Sequence, residues 1–248
     1  GPNGLIAIII SYFLFLIFQY FKFNNLKINL LQNSEILDTL KNNFFIVTNT
    51  AALDLNYNIL QKNFESFSQQ KSINEGNKKF WVNYLSTKQQ KNDAAKLFLN
   101  KKVLNLASNY LETFPTLYSI SYYKTQKTED DILSKSQLWH LDTTHKKVFK
   151  IFWSPKGVTS NEGPTTICDS GKKTKLWQFL NYPNFPSYFN DAEFSNSNLS
   201  KFRTKEILLN PSQLSICDTC NLFHYGSRYN KERWIVILEF APLKRFDY

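Results

Sequence analysis

The sequence has no methionine, 7 glycines and three cysteines in 248 residues. Three cysteines are too few for the disulfide framework of a small secreted domain, and we expect them to be reduced. The scarcity of glycine combines with 22 Phe, 13 Tyr and 5 Trp. This composition excludes a low-complexity or disordered chain and predicts a packed core. The length suits one domain of ordinary to large size.

Long runs of like charge are also missing, although the formal net charge is +10. The lysines are scattered, and no nucleic-acid-binding motif accompanies them. We therefore interpret the charge as a solvated basic surface and expect no nucleic-acid partner. The same positive field would favour a small-molecule substrate that is anionic or amphiphilic, or a membrane surface.

One uncharged stretch stands apart at the start of the chain. After Gly1-Pro2, which we interpret as a protease-cleavage scar, Leu5–Phe21 contains no charged residue. Its length lies at the lower limit of the roughly 17–25 residues that cross a bilayer. We predict that residues 1–22 form a hydrophobic segment, with a membrane anchor favoured over a helix buried in protein. Residues 23–248 would then form a single domain, which the lysines after the stretch would hold in the cytoplasm.

Helical spacing of apolar residues dominates the chain before Pro115. It predicts a helix from Ser34 and two more at Leu53–Phe67 and Asp93–Phe114. The apolar run Phe44–Thr48 between them predicts a short strand. Short β-like runs then follow, at Leu117–Tyr123, Gln137–Asp142, Val148–Trp153, Thr165–Cys168, Glu206–Leu209, Leu214–Cys217 and Trp234–Phe240. Such strands without regular helices between them predict a mainly β sandwich or jelly roll with flanking helices.

The pattern His140-Leu141-Asp142, with His224 and Arg233 later in the chain, carries the strongest chemical signal. On a strand, His140 and Asp142 point to the same face. Two imidazoles and one carboxylate can occupy one face of an Fe(II) ion and leave its other positions open. Arg233 begins an apolar strand and offers a rigid, bidentate fork for a carboxylate, whereas Arg228 lies in a polar turn that we expect to be mobile.

The sequence around these residues resembles a known family. The relevant segments are Ser136–Asp142, Lys147–Trp153, Asn161–Thr165, Leu214–Cys220, Phe223–Arg228 and Lys231–Phe240. In order and spacing they resemble the phytanoyl-CoA dioxygenases, a family of Fe(II)- and 2-oxoglutarate-dependent oxygenases. The likeness covers residues 118–242 well. It departs at Leu141 and at Cys168–Lys173, beside the expected substrate mouth, so it indicates the metal site better than the substrate.

The resemblance implies a double-stranded β-helix, the jelly-roll or cupin-like fold, that uses Fe(II), 2-oxoglutarate and O2. It implies that His140, Asp142 and His224 are the catalytic metal ligands and that Arg233 pairs with the distal carboxylate of 2-oxoglutarate. It also suggests that Gln137 and Trp153 line the cosubstrate pocket. The expected reaction is hydroxylation of an unactivated C–H bond of a small or lipid-like molecule, although oxidative cyclisation and desaturation use the same ligands.

Two other functions remain open from the sequence. A non-catalytic jelly-roll binding module on a membrane would keep the barrel and lose the ligands or the arginine, and all four residues are present. A zinc-binding interaction protein would use Cys217, Cys220 and His224. Strand alternation, however, places the two cysteines on opposite faces, which favours reduced, buried thiols.

Overall fold

The computed structural model describes residues 34–69, 73–74, 81–84, 87–125, 133–143, 145–170, 188–228 and 231–242. The stretch predicted as a membrane anchor, Leu5–Phe21, lies outside these residues and stays a prediction. Among the helices in the described ranges, none is long and apolar enough to cross a membrane.

Five α-helices are present in the described part of the chain. They are α1 (Ser34–Asn43), α2 (Tyr57–Ser68), α3 (Lys88–Phe98), α4 (Lys101–Leu111) and α5 (Asp191–Ser195). The single helix predicted over residues 93–114 is thus two helices. Asn100 divides them because its side chain accepts hydrogen bonds from the backbone N–H groups of Lys102 and Val103, both at 2.9 Å, and so caps a new helix.

Twelve strands make up the β structure of the described residues. They are β1 (Phe45–Asn49), β2 (Ile73–Asn74), β3 (Trp81–Asn83), β4 (Pro115–Thr125), β5 (Trp139–His140), β6 (Phe149–Trp153), β7 (Thr165–Cys168), β8 (Tyr188–Phe189), β9 (Thr204–Ile207), β10 (Gln213–Cys217), β11 (His224–Tyr225) and β12 (Arg233–Pro242). A larger sheet has the order β1-β10-β6-β12-β4-β3-β2, and a smaller one has the order β8-β5-β11-β7-β9. Every pairing is antiparallel, as the predicted jelly roll requires.

Side-chain alternation on the larger sheet separates two environments. On β6, Ile151 and Trp153 join the core that packs under the helices, together with Leu106 of α4. Phe152 points the other way and meets Ile167 of the smaller sheet in a second core. The space between the two sheets is therefore reached by every second residue of each strand, and the polar residues described next face that space.

Candidate metal centre

The structure brings His140, Asp142 and His224 together. His140 on β5 lies directly opposite His224 on β11, and paired residues on neighbouring strands share a face. Their ring centroids are 4.2 Å apart, and His140 Nε2 lies 3.8 Å from Asp142 Oδ1. One ligand atom of each residue lies within 4.8 Å of those of the other two. Within the described ranges, this is the group of His, Cys, Asp and Glu side chains that has the spacing of a metal site.

Backbone carbonyls set the orientation of both imidazoles. His140 Nδ1 lies 2.8 Å from the oxygen of Leu138, and His224 Nδ1 lies 2.9 Å from that of Leu222. Because a carbonyl oxygen can only accept, each Nδ1 carries a hydrogen, and Nε2 is the atom that offers a lone pair when the ring is neutral. Burial, and then the proximity of His140, lower the pKa of His224 to about 3, against the attraction of Asp142. His224 is therefore neutral at physiological pH, the form that binds a metal.

Asp142 is held by both its backbone and its side chain. Its N–H donates to the oxygen of Thr219 at 2.9 Å, and its Oδ2 accepts from Lys150 Nζ at 2.6 Å. Burial opposes ionisation of the carboxyl, but Lys150 and His224 outweigh it and hold the pKa of Asp142 well below its usual range. The carboxylate is thus charged, and its Oδ1 remains on the side of the histidines.

Lys150 lies between two carboxylates. Besides Asp142, its Nζ contacts Glu239 Oε2 at 3.1 Å. Burial disfavours the ammonium, yet the attraction of Asp142 and Glu239 prevails and raises the pKa of Lys150. The sequence left the direction of this side chain open. The structure shows that it faces the space between the sheets, in phase with Phe152 on β6.

Arg233 is a buried cation of a different kind. It is 4% exposed, and its Nη2 donates to Ser227 Oγ at 3.4 Å. Its Nε has no hydrogen-bond partner, and among the residues that the structure describes no carboxylate forms an ion pair with it. Burial lowers the pKa of Arg233 to about 10, partly offset by Glu162, so the guanidinium stays charged at neutral pH. A buried charge without a counter-ion costs several kcal/mol, which indicates a site for an anion.

All these groups line one cavity of about 260 Å³ between the two sheets. Along β12, Arg233, Ile235, Ile237 and Glu239 face it in strict alternation. Arg233 and Glu239 are six positions apart along the strand, or roughly 20 Å. The two residues therefore mark opposite ends of the cavity wall. Tyr188 of β8 also lines the cavity, with its ring 5.4 Å from that of His140 and 45% of its surface exposed.

Two residues that the family resemblance suggested for the cosubstrate pocket lie elsewhere. Trp153 points to the helical side of β6, where its indole N–H donates to the oxygen of Pro211 at 2.8 Å, and Phe152 lines the cavity instead. The Gln137 side chain donates to the oxygen of Ser227 at 3.0 Å and accepts from the N–H of Ser134 at 3.2 Å. Its amide is therefore used to hold the backbone, and neither side chain is part of the cavity wall.

Arg228 is fixed in place, contrary to the mobility expected of its turn. Its Nη1 contacts both carboxylate oxygens of Asp191 at 2.9 Å, and its Nε donates to the oxygen of Gln137 at 2.5 Å. The guanidinium also lies 3.6 Å from the centre of the Tyr225 ring. These contacts tie α5 to the smaller sheet, so Arg228 has a structural role and is not available to a ligand in the way that Arg233 is.

The cysteines do not form the alternative zinc site. Cys168, Cys217 and Cys220 are free and buried, and the described residues contain no metal-like group that includes them. Burial raises the pKa of Cys217 to about 12 and that of Cys168 to about 11, which disfavours the thiolates that zinc binds.

Asp218, which the sequence did not single out, is a buried aspartate that holds the backbone next to the candidate ligands. Asp218 is fully buried and accepts hydrogen bonds from Tyr110 Oη at 2.6 Å and Asn221 Nδ2 at 2.8 Å, as well as from two backbone N–H groups. It fixes the turn after β10, whose Thr219 carbonyl holds the Asp142 backbone. This turn leads directly into β11 and His224, so one network places two of the three proposed ligands.

The sequence matches no protein-family model and no curated protein. The structure is similar to that of the epimerase SnoN in complex with Fe3+, alpha ketoglutarate and nogalamycin RO, with TM-score 0.59, 11% identity, and coverage of 83% of this chain and 82% of that chain. It is also similar to EctD from S. alaskensis with 2-oxoglutarate and 5-hydroxyectoine, with TM-score 0.58, 14% identity, and coverage of 84% of this chain and 76% of that chain. A third similar structure is HygX from Streptomyces hygroscopicus with nickel, 2-oxoglutarate and hygromycin B, with TM-score 0.57, 12% identity, and coverage of 84% of this chain and 87% of that chain.

At these identities the likeness establishes the fold. The chain is a double-stranded β-helix with flanking helices, which confirms the predicted fold class. The narrower resemblance to the phytanoyl-CoA dioxygenases stays a prediction.

Proposed function

We propose that this protein is an Fe(II)- and 2-oxoglutarate-dependent oxygenase. One observation carries the proposal: two histidines, of which His224 is neutral, and an ionised aspartate converge in a cavity that also contains a buried arginine with no ion-pair partner in the described residues. The structures of SnoN, EctD and HygX support it, because each was determined with 2-oxoglutarate, and two of them with a metal ion.

The donor set suits iron. His140 Nε2, His224 Nε2 and Asp142 Oδ1 would hold the ion from one side, which is the two-histidine, one-carboxylate arrangement of non-haem Fe(II) sites. The Leu138 and Leu222 carbonyls would keep the Nε2 atoms of the two histidines directed at the ion. Lys150 would hold the Asp142 oxygen that does not bind the ion, Oδ2. A structural zinc site would more commonly take thiolate ligands, which this cavity does not offer in the described residues.

Arg233 would bind the distal carboxylate of 2-oxoglutarate. The guanidinium is rigid because it sits at the start of the long strand β12, and Ser227 beside it offers a hydroxyl. A dicarboxylate is the appropriate ligand, since one end would satisfy Arg233 while the other reaches the metal. Bound together, iron, 2-oxoglutarate and O2 would supply an oxidant for C–H bonds as the cosubstrate is decarboxylated to succinate.

The remaining residues would orient the substrate and exclude water. Phe152, Ile235 and Ile237 give the centre of the cavity an apolar wall, and Tyr188 stands at its edge beside His140. We infer that the reaction is hydroxylation of a small molecule, because Asp142 is retained where related halogenases have a small residue. Oxidative cyclisation, desaturation or epimerisation would use the same protein groups.

Metal binding by the triad variants tests this proposal. Anaerobic calorimetry should give one Fe(II) per wild-type chain, and His140→Ala and His224→Ala should each abolish that binding while the circular dichroism spectrum is unchanged. His145→Ala is the matched control, because His145 is the third histidine of the chain and lies outside the triad.

Succinate release from 2-oxoglutarate should depend on Fe(II) in the wild type and be lost in both triad variants. Full iron affinity in either variant, or stoichiometric zinc that resists exchange for Fe(II), would contradict the proposal.

A further inference from the structure

The end of the cavity opposite Arg233 contains a buried carboxylate that is only half satisfied. Glu239 lines the cavity and is 8% exposed. Its Oε2 forms the ion pair with Lys150 at 3.1 Å, while its Oε1 is buried and has no hydrogen-bond partner. Buried polar atoms in proteins nearly always have a partner, so a carboxylate oxygen left without one inside a cavity indicates a ligand that donates a hydrogen bond.

An anionic ligand finds no free cationic side chain at this end of the described cavity wall. Asp142 and Glu239 contribute two carboxylates, and Lys150 contributes one ammonium that already contacts both. A metal ion on Asp142 would be balanced by Asp142 itself and by the keto acid end of 2-oxoglutarate. A carboxylate or phosphate group beside Glu239 would therefore meet a carboxylate and no spare cation, whereas Arg233 would attract it. The anionic substrate that the net charge of the whole chain suggested is therefore not supported by the cavity itself.

Two serines extend the polar surface around Glu239. Ser119 on β4 pairs with Glu239, and Ser121 pairs with Ile237, so both serine side chains share the face of β12 that lines the cavity. The same wall becomes apolar at Phe152 and Ile237. A ligand that matches this surface has a hydrogen-bond donor at one end and a hydrocarbon skeleton beside it.

We propose that Glu239, with Ser119 and Ser121, forms the substrate-recognition subsite and binds a hydroxyl or amino group. The substrate class is then an alcohol or an amine, and not a fatty acid or a phosphorylated compound. The assignment of this ligand as the substrate rests on the proposed function. Since Lys150 joins Glu239 to Asp142, the anchored group would lie one side chain from the proposed metal ligand.

Three probes with one skeleton test the subsite: cyclohexylamine, cyclohexanol and cyclohexanecarboxylate. Their dissociation constants are measured by ligand-observed NMR on the full chain, alone and with saturating Mn(II) and 2-oxoglutarate. The carboxylate is tested only in the loaded protein, where 2-oxoglutarate occupies Arg233. We expect the amine and the alcohol to bind the wild type and the carboxylate to bind at least about tenfold more weakly.

Glu239→Leu should weaken the amine by about tenfold or more, because it removes a charge-assisted contact. Glu239→Gln keeps the size of the side chain. It should weaken binding of the amine but leave binding of the alcohol largely unchanged. Glu232→Gln is the matched control, since Glu232 lies near the same strand with a side chain that is 60% exposed. Thermal unfolding of each variant reports whether it folds, and Glu239→Gln replaces Glu239→Leu if the latter does not.

The outcomes separate this inference from the proposed function. Failure of 2-oxoglutarate and Mn(II) to bind would refute the oxygenase, while Glu239-dependent binding of the amine to the protein alone would still support the subsite. Affinities that are unchanged in both Glu239 variants, tighter binding of the carboxylate, or no binding of either donor probe to the wild type would overturn it.

Discussion

Two cations, the half-buried Lys150 and the buried Arg233, face the same cavity, and their surroundings differ. Lys150 contacts two carboxylates, Asp142 at 2.6 Å and Glu239 at 3.1 Å. Arg233 has a long hydrogen bond to a serine, and no carboxylate of the described residues forms an ion pair with it. The protein has thus neutralised one cation itself and left the other without an ion pair. On our proposal, this contrast divides the cavity into a cosubstrate end and a substrate end.

Removing the unpaired cation should have the larger effect on ligand binding. We predict that Arg233→Ala raises the 2-oxoglutarate dissociation constant by roughly tenfold to a hundredfold, since a bidentate charged contact contributes about 1.5–3 kcal/mol. Calorimetry on the Mn(II)-loaded protein measures it. Fe(II) affinity in the absence of 2-oxoglutarate should change little, because Arg233 does not contact the triad.

Arg228→Ala is the comparison for this variant. It should lower the thermal stability by releasing α5 from the smaller sheet and leave 2-oxoglutarate affinity unchanged. If Arg228→Ala weakens the binding of 2-oxoglutarate and Arg233→Ala does not, Arg233 is the wrong choice for the cosubstrate end of the cavity.

Removing the paired cation should act on the metal instead. Lys150→Met leaves Asp142 without its partner, and we expect Fe(II) affinity at neutral pH to fall by about tenfold, as for other residues that orient a metal ligand. Lys150→Arg should restore most of it. Because Lys150→Met also leaves the half-buried Asp142 and the buried Glu239 without their shared cation, thermal unfolding is followed in parallel.

The pH dependence identifies the cause of that loss. In the wild type, Lys150 helps to hold the pKa of Asp142 well below its usual range, so acidification protonates this ligand only at very low pH. Without Lys150 the pKa rises, and Fe(II) affinity should begin to fall at a higher pH as acid is added. An identical pH profile for Lys150→Met and the wild type would show that Lys150 does not act through Asp142.

Strand periodicity predicted part of this site from sequence, and the missing part has a physical explanation. The separation of His140 and Asp142 by one residue was enough to place them on one face. β11 contains only His224 and Tyr225, too few residues to show alternation, so His224 was assigned from its chemistry as a second imidazole and from the family resemblance. The break between α3 and α4 was missed because Asn100 fits a helical pattern until its capping role is seen.

Two further residues could have been found by counting along strands. Glu239 interrupts an apolar run and is in phase with Arg233, so alternation from Arg233 predicts that it faces the same cavity. On β6 the assignment of Trp153 to the pocket was off by one residue. If Phe152 faces the cavity, Lys150 must face it too, because residues two apart on a strand share a face. Assigning Phe152 to the cavity would therefore have placed both side chains. The hydrogen bonds of Asp218 depend on contacts distant in sequence, which no local pattern reveals.

A crystal structure of the protein grown anaerobically with Mn(II) and 2-oxoglutarate tests the central claim most directly. The account predicts one anomalous peak bound by His140 Nε2, His224 Nε2 and Asp142 Oδ1, and a 2-oxoglutarate molecule whose distal carboxylate contacts Arg233. Glu239 Oε1 should face the space that is left. An anomalous peak at the cysteines, or a 2-oxoglutarate carboxylate bound to Lys150 in place of Arg233, would contradict it.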